Sequence, residues 1–333
     1  YNTVVRLNQI EGHPDILTEN DIFEVKTTGR LKQDWDKYIL QTFCYAGLYP
    51  SAQAVHIVLP LQREVVTIIL DNWTERNGFM ELLCGVKEAC CVGSHIGTHI
   101  SKQSKLSTTF SELHADVPYQ IFLSMNSHLN ITDEEIAKTC QIVTIRDLKV
   151  YVHAPYIVNL CDTRDYIVPM IVKQMDVTDA CGFKGLVIHV GKSTTRDLPT
   201  ALSNMKNNIL QILKKSSGYL YLETPAGQGT EVLTDIASFM DFVIDVNHDR
   251  LSVCVDTCHV FAAGSQPDEY LQVLASNPLW KHKLKLIHFN DSETKFGSRV
   301  DRHANIGTGK IDIARLRRCA EFASEHKIDI LKE

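Results

Sequence analysis

Five side chains that bind metals well recur at near-constant intervals. His153, His189, Glu223, Asp256 and His288 are separated by 36, 34, 33 and 32 residues, with His99 before them and Glu333 after. Each stands at the end of a short apolar run. One such residue is ordinary surface chemistry. A series of them gains nothing for stability, because burying unpaired polar groups costs free energy. Divalent cations do call for N and O ligands of this kind, zinc or manganese foremost. Two local motifs extend the series. Asp256-Thr257-Cys258-His259 sets an imidazole three residues beyond a carboxylate, and Asp301-Arg302-His303 puts two ligands at i, i+2, within reach of one ion. His153, His189, Glu223, Asp256, His259, His288, Asp301, His303 and Glu333 form a ligand set large enough for about three ions with open positions. Cys258 reads as packing.

The elements that must position these residues have a regular rhythm. Apolar runs at Cys91–Ser101, Pro118–Met125, Lys149–Ala154, Gly185–Val190, Tyr219–Thr224, Leu251–Thr257, Leu284–Asn290 and Ile328–Glu333 are mostly continuous, as in parallel strands buried on both faces. Amphipathic stretches alternate with them, including Thr132–Cys140, Leu202–Lys214, Val232–Val243 and Ile313–His326. Thr132-Asp133-Glu134-Glu135 opens the first with a capping-box pattern. Eight βα units predict an α/β fold of the (β/α)8 TIM-barrel class over 92–333, with an open doubly wound sheet as the alternative. The last helix of the barrel is absent from this sequence, which stops at the eighth strand. Barrel active sites form at the C-terminal rim, so the strand-end ligands are expected to converge there. The second strand offers no strong ligand.

Residues 1–85 read differently, as a small α/β domain. A hairpin is expected around Asp15–Lys26, a helix from Lys32 to Leu48, a strand pair flanking Arg63–Glu64, and a helix near Glu75–Cys84. Residues 86–92 form a soft junction.

Composition narrows the classes. The 333 residues are 44% hydrophobic and 22% charged, which excludes disorder and fibrous architectures. The longest apolar runs, such as Val65–Leu70, are too short for a bilayer, so no membrane partner is expected. A net charge of −6 argues against binding polyanions by bulk positive charge, but not against a site where bound metal supplies the charge. Ten cysteines without a CxxC pair read as reduced thiols. No secretory leader opens the chain, which begins at Tyr1 rather than Met. An intracellular monomer, in cytoplasm or nucleus or nucleoid, is the expectation.

The motifs are also specific. Gly97-Thr98-His99-Ile100-Ser101, Leu222-Glu223-Thr224-Pro225-Ala226-Gly227-Gln228-Gly229, Val255-Asp256-Thr257-Cys258-His259, His288-Phe289-Asn290-Asp291-Ser292 and Gly297-Ser298-Arg299-Val300-Asp301-Arg302-His303 resemble the endonuclease IV family of zinc-dependent apurinic/apyrimidinic endonucleases over 93–333. The resemblance implies three zinc ions, with manganese an option at one site. His153, His189 and Glu223 match the first site. Glu223, Asp256, His288 and Glu333 match the second, with Glu223 bridging as the central catalytic carboxylate. His259, Asp301 and His303 match the third. It further implies DNA repair by base excision, with double-stranded DNA containing abasic sites as substrate. Cleavage 5′ to the lesion would leave a 3′-hydroxyl and a 5′-deoxyribose phosphate. Tyr156 and Ile157 match residues that wedge into the duplex. His99, Asn126, His128 and Arg302 fall at further DNA-facing positions, with His128 where a well-known relative has Arg.

The first 85 residues carry a second resemblance, to PD-(D/E)XK nucleases of the RecB type. Asp15, then Phe23-Glu24-Val25-Lys26, then Gln41 and Tyr45 on one helical face, carry it. It implies a magnesium held by Asp15 and Glu24, with Lys26 positioning the attacking water. The family's upstream acidic helix is missing from residues 1–10, so this domain is N-terminally incomplete. Two rivals stand beside the repair reading: a metal-dependent sugar isomerase or epimerase of the related barrel group, and a non-catalytic DNA-binding scaffold.

Overall fold

The computed structural model describes residues 5–7, 10–12, 14–27, 31–49, 51–70, 96–124, 129–278, 280 and 282–333. The chain divides into two compact units, Tyr1–Cys91 and Val92–Glu333. The helix expected near Glu75–Cys84 and the junction at 86–92 lie outside the described residues.

In the first unit, β1 (Val5–Leu7) and β2 (Ile10–Gly12) form an antiparallel pair. A second sheet runs in the order β3 (Ile16–Leu17), β4 (Asp21–Val25), β5 (Ala54–Leu59), β6 (Glu64–Ile69). The β3–β4 hairpin pairs Ile16 with Phe23. Helix α1 (Leu31–Leu48) crosses from β4 to β5, and a crossover of this length lets the two strands run parallel. Ile22, Ala46, Ala52, Val55 and Leu70 form a small core beneath.

The second unit is a closed barrel. Its strands are β7 (Ile96–Ile100), β8 (Pro118–Ile121), β9 (Lys149–His153), β10 (Gly185–His189), β11 (Leu220–Glu223), β12 (Leu251–Asp256), β13 (Leu284–His288) and, after the short pair β14 (Asp291–Ser292) and β15 (His303–Ala304), β16 (Asp329–Lys332). Every barrel pairing is parallel, and β16 pairs with β7, so the ring closes and the open-sheet alternative is excluded. The continuous apolar runs have their cause here: β8, β11 and β12 are buried at every position, between the barrel interior and the outer helices.

The helices are α2 (Leu106–Phe110), α3 (Asp133–Ile145), α4 (Ile167–Ala180), α5 (Leu198–Lys215), α6 (Ile236–Val246), α7 (Thr257–Ala263), α8 (Pro267–Ser276) and α9 (Ile313–His326). Thr132 caps α3, its hydroxyl accepting from Glu135 N at 3.3 Å. The helix runs five residues past the expected Cys140, because Ile142 and Val143 continue its apolar face into the core. Asp197 caps α5 through Thr200 N at 2.9 Å, with Pro199 in the first turn, so α5 starts four residues before the expected Leu202.

Candidate metal centre

A strand has a period of two, so residues two apart share a face. Tyr151, Val187, Tyr221, Cys254, Leu286 and Leu331 form one buried cluster filling the barrel interior. Two residues further along the same six strands stand His153, His189, Glu223, Asp256, His288 and Glu333. The packing layer thus sets the aim of the ligand layer above it. Glu333 takes its place by the same rule, two residues beyond Leu331.

Glu223 is the hub. Its Oε2 lies 3.2 Å from His153 Nε2 and 3.3 Å from His189 Nε2, and its Oε1 lies 2.9 Å from His288 Nδ1. One carboxylate therefore faces two clusters, one through each oxygen. The ligand atoms of His153, His189 and Glu223 lie within 4.8 Å of one another, as do those of Glu223, Asp256, His288 and Glu333. His153 Nδ1 donates to Ala154 O at 2.7 Å. A carbonyl only accepts, so that nitrogen holds the proton and Nε2 keeps its lone pair for the centre.

The third group grows from a helix start. Asp256 is the N-cap of α7, its Oδ1 accepting from His259 N at 2.8 Å. His259 Nδ1 donates to Thr224 O at 2.9 Å, which frees its Nε2. Asp301 and His303 arrive on the loop after β14, with Asp301 Oδ2 3.2 Å from His259 Nε2 and Oδ1 3.2 Å from His303 Nε2. Asp256, His259 and His303 converge within 4.8 Å, and so do Cys258, Asp301 and His303. Cys258, expected as packing, is buried, with its thiol 3.6 Å from Arg302 O.

The charges in this mouth need cations. Burial works to raise the Glu223 carboxyl, but the neighbouring imidazoles, His189 and His288 foremost, outweigh it and hold it well below the usual range. Asp301 is likewise depressed, burial being overcome by the His259 and His303 imidazoles beside it. Against the opposing effect of burial, carboxylates push His259 well above its ordinary value, with Asp256 the strongest, and push His303 up to about 9. His288 is also raised well above its ordinary value. His189 is drawn down to about 4, chiefly by burial. His259 Nε2 and His303 Nε2 are buried without a hydrogen-bond partner, close to carboxylate oxygens. Orphaned ring nitrogens beside carboxylates fit a bound cation.

Around the ligands, Tyr156 is 59% and Ile157 51% exposed at the rim, and the Tyr156 ring packs 5.3 Å from His153. A cavity of about 360 Å3 opens beside them, lined among others by His189, Lys192, Gln228 and Asp301. Arg302 is exposed, its guanidinium bonded to Asp301 O at 2.7 Å. His99 lies 4.0 Å from Glu333. Asn126 and His128 lie outside the described residues.

Several supporting residues escaped the sequence reading. Gln120, on the second barrel strand, is buried and bonds His288, Glu333 and His99. Asn290 donates to Asp256 Oδ2 at 2.6 Å and accepts from Glu333 N at 3.1 Å. Asp291 is buried and accepts four backbone N–H bonds, from Ser292, Gly307, Gly309 and Ile311. The available signal for Gln120 was one polar residue inside an apolar run.

In the first unit, Glu24 is buried on β4 and bonds Lys26 Nζ at 2.5 Å. Lys26 also bonds Gln41 Oε1 at 3.0 Å, and Gln41 donates to the Tyr45 hydroxyl at 2.7 Å. Asp15 Oδ2 accepts from Val25 N at 2.7 Å, and Asp15 N reaches Glu24 Oε2 at 3.4 Å. Asp15 and Glu24 thus lie together at the hairpin.

Comparison with known proteins places the second unit. Residues 112–324 match the family described as Xylose isomerase-like TIM barrel. The chain is 34% identical over 198 residues to the probable endonuclease 4 of Mycoplasmopsis pulmonis, spanning 57% of this chain and 71% of that one. It is 30% identical over 266 residues to the putative endonuclease 4 of Acanthamoeba polyphaga mimivirus, spanning 73% and 84%. Among solved structures, endonuclease IV from Thermus thermophilus superposes with a TM-score of 0.61 at 24% identity, over 72% of this chain and 92% of that one. A D-tagatose 3-epimerase-like protein shares the fold at 0.56 and 16%, over 71% and 89%.

Proposed function

The chain belongs to the endonuclease IV family, and we propose that it hydrolyses the phosphodiester 5′ to abasic sites in duplex DNA, leaving a 3′-hydroxyl and a 5′-deoxyribose phosphate. The observation that carries this is the shared use of Glu223, whose two oxygens face two adjacent ligand clusters, beside the third cluster on Asp301 and His303. His153, His189 and Glu223 would hold one zinc, Glu223, Asp256, His288 and Glu333 a second, and His259, Asp301 and His303 a third. The ions supply Lewis acidity, lowering the pKa of water and offsetting charge on the phosphoryl and leaving oxygens.

The chain's own residues do the rest. Four carboxylates against three dications would leave about +2 in the mouth, enough to draw a phosphodiester into an otherwise acidic protein. The carbonyls of Ala154 and Thr224 hold His153 and His259 in the tautomers that present Nε2. Tyr156 and Ile157 offer an exposed apolar ridge beside the mouth, suited to the gap left by a missing base, and extruding such a nucleotide is cheap. No described helix is long and apolar enough to cross a membrane. We read the protein as an intracellular monomer whose barrel domain spans 92–333.

Incision of a duplex carrying one tetrahydrofuran site, with and without chelator, tests the proposal. Metal-dependent cleavage at the site supports it. Ketose–aldose interconversion without cleavage would favour the isomerase rival, and an intact chain without metal would favour the scaffold.

A second reading concerns residues 1–85. The contact chain Glu24–Lys26–Gln41–Tyr45, with Asp15 beside it, favours a PD-(D/E)XK-like domain in which Asp15 and Glu24 hold magnesium and Lys26 orients water.

A further inference from the structure

We propose that Gln120 is a positioning residue of the metal centre: its carboxamide fixes which ring nitrogen of His288 carries the proton and ties Glu333 to the same frame. The inference rests on the metal-centre reading above and adds a residue that is not itself a ligand in it.

The argument turns on what each partner can do. Gln120 stands on β8 with no exposed surface, so each of its polar atoms needs a partner. Its Nε2 faces Glu333 Oε1 and lies 3.2 Å from His99 Nδ1, and its Oε1 lies 2.8 Å from His288 Nε2. An ionised carboxylate only accepts, so the amide NH2 must be the end that faces Glu333. The oxygen then faces His288, and an amide oxygen also only accepts. His288 Nε2 must therefore donate and keep its proton, so Nδ1, 2.9 Å from Glu223 Oε1, is the nitrogen that would give up its proton to a metal. The second amide hydrogen is available to His99 Nδ1.

One side chain thus orients two residues of the Glu223–Asp256–His288–Glu333 group. It also completes a ring of inward rim residues, one from each barrel strand, with His99 on β7 and Gln120 on β8. A hydrogen bond to the non-ligating nitrogen of a metal-binding His sets its orientation and basicity, and loss of such a partner costs about 10–100-fold in metal affinity.

The test uses the full chain. Zinc affinity is measured by competition with a chromophoric chelator for wild type and for Gln120→Met, which keeps the volume and removes all three bonds. The expected result is one zinc held about 10–100-fold more weakly, with the others unchanged. Nitrogen-15 NMR of the zinc-loaded wild type reads the tautomer without a mutation, and the proton is expected on His288 Nε2. Unchanged zinc affinity in a folded Gln120→Met, or a proton on His288 Nδ1, overturns the inference while the metal centre stands. A wild-type chain that binds no zinc overturns the metal-centre reading itself.

Discussion

Asp256 Oδ1 accepts the backbone N–H of His259 at 2.8 Å, so a carboxylate of the second ligand group is the N-cap that starts the helix bearing the third group's imidazole. The spacing of Asp256-Thr257-Cys258-His259 follows from that bond, since a capping side chain reaches the N–H two or three residues on. The two groups are therefore coupled through α7. Asp256→Ala is expected to destabilise the metal-free protein by about 1 kcal/mol for the lost cap, and by about 1–3 kcal/mol more for the stranded Asn290 amide. It should also reduce metal binding at both ligand groups. Thermal unfolding and zinc content measure the two effects separately.

The segment that follows Asp301 and His303 depends on a close fit. A Cβ on Gly309 would stand 2.3 Å from Asp291 Oδ1, the carboxylate that gathers the loop's N–H groups. Gly309→Ala is expected to cost about 1–3 kcal/mol as an overpacked buried contact. Zinc content should fall by one ion per chain, with the groups sharing Glu223 retained.

The proton on His303 gives a signed pH dependence. Its ordinary value of 6.5 is raised to about 9, so in the metal-free protein its stabilising contribution is complete below about 6.5 and is lost as pH rises through about 9. The stability difference between chelated wild type and His303→Asn should shrink across that window. A metal ion must displace the same proton, so apparent zinc affinity at this group should climb with pH until about 9 and then level. Calorimetric titration at several pH values checks this.

Ile157 is 51% exposed and holds no ligand. Ile157→Ala should leave zinc content unchanged and stability within about 0.5 kcal/mol. If the ridge engages DNA, KM for the abasic duplex rises while kcat holds; an unchanged KM removes Ile157 from the interface.

In the first unit, Glu24→Gln removes the charge that faces Lys26. Magnesium-dependent degradation of linear DNA should be lost in this variant, with incision at abasic sites unaffected. Equal degradation by both proteins would count against a nucleolytic first domain.

The sequence by itself determined the barrel. Eight apolar runs alternating with amphipathic stretches leave few arrangements that bury both faces of every strand, and period-two placement turns each strand-end residue toward the interior. That is why His153, His189, Glu223, Asp256 and His288 were legible from their intervals, and Glu333 from its place at the end of the last strand. What surrounds them was not. The proton positions on His153, His259 and His288 depend on Ala154 O, Thr224 O and Gln120 Oε1, and for His259 and His288 the partner lies 35 and 168 residues away. Closure by β16 against β7 joins the two ends of the barrel segment, and only then does Glu333 meet Gln120. Local pattern reports which face a side chain occupies, but hydrogen bonds between distant strands exist only once the ring has closed.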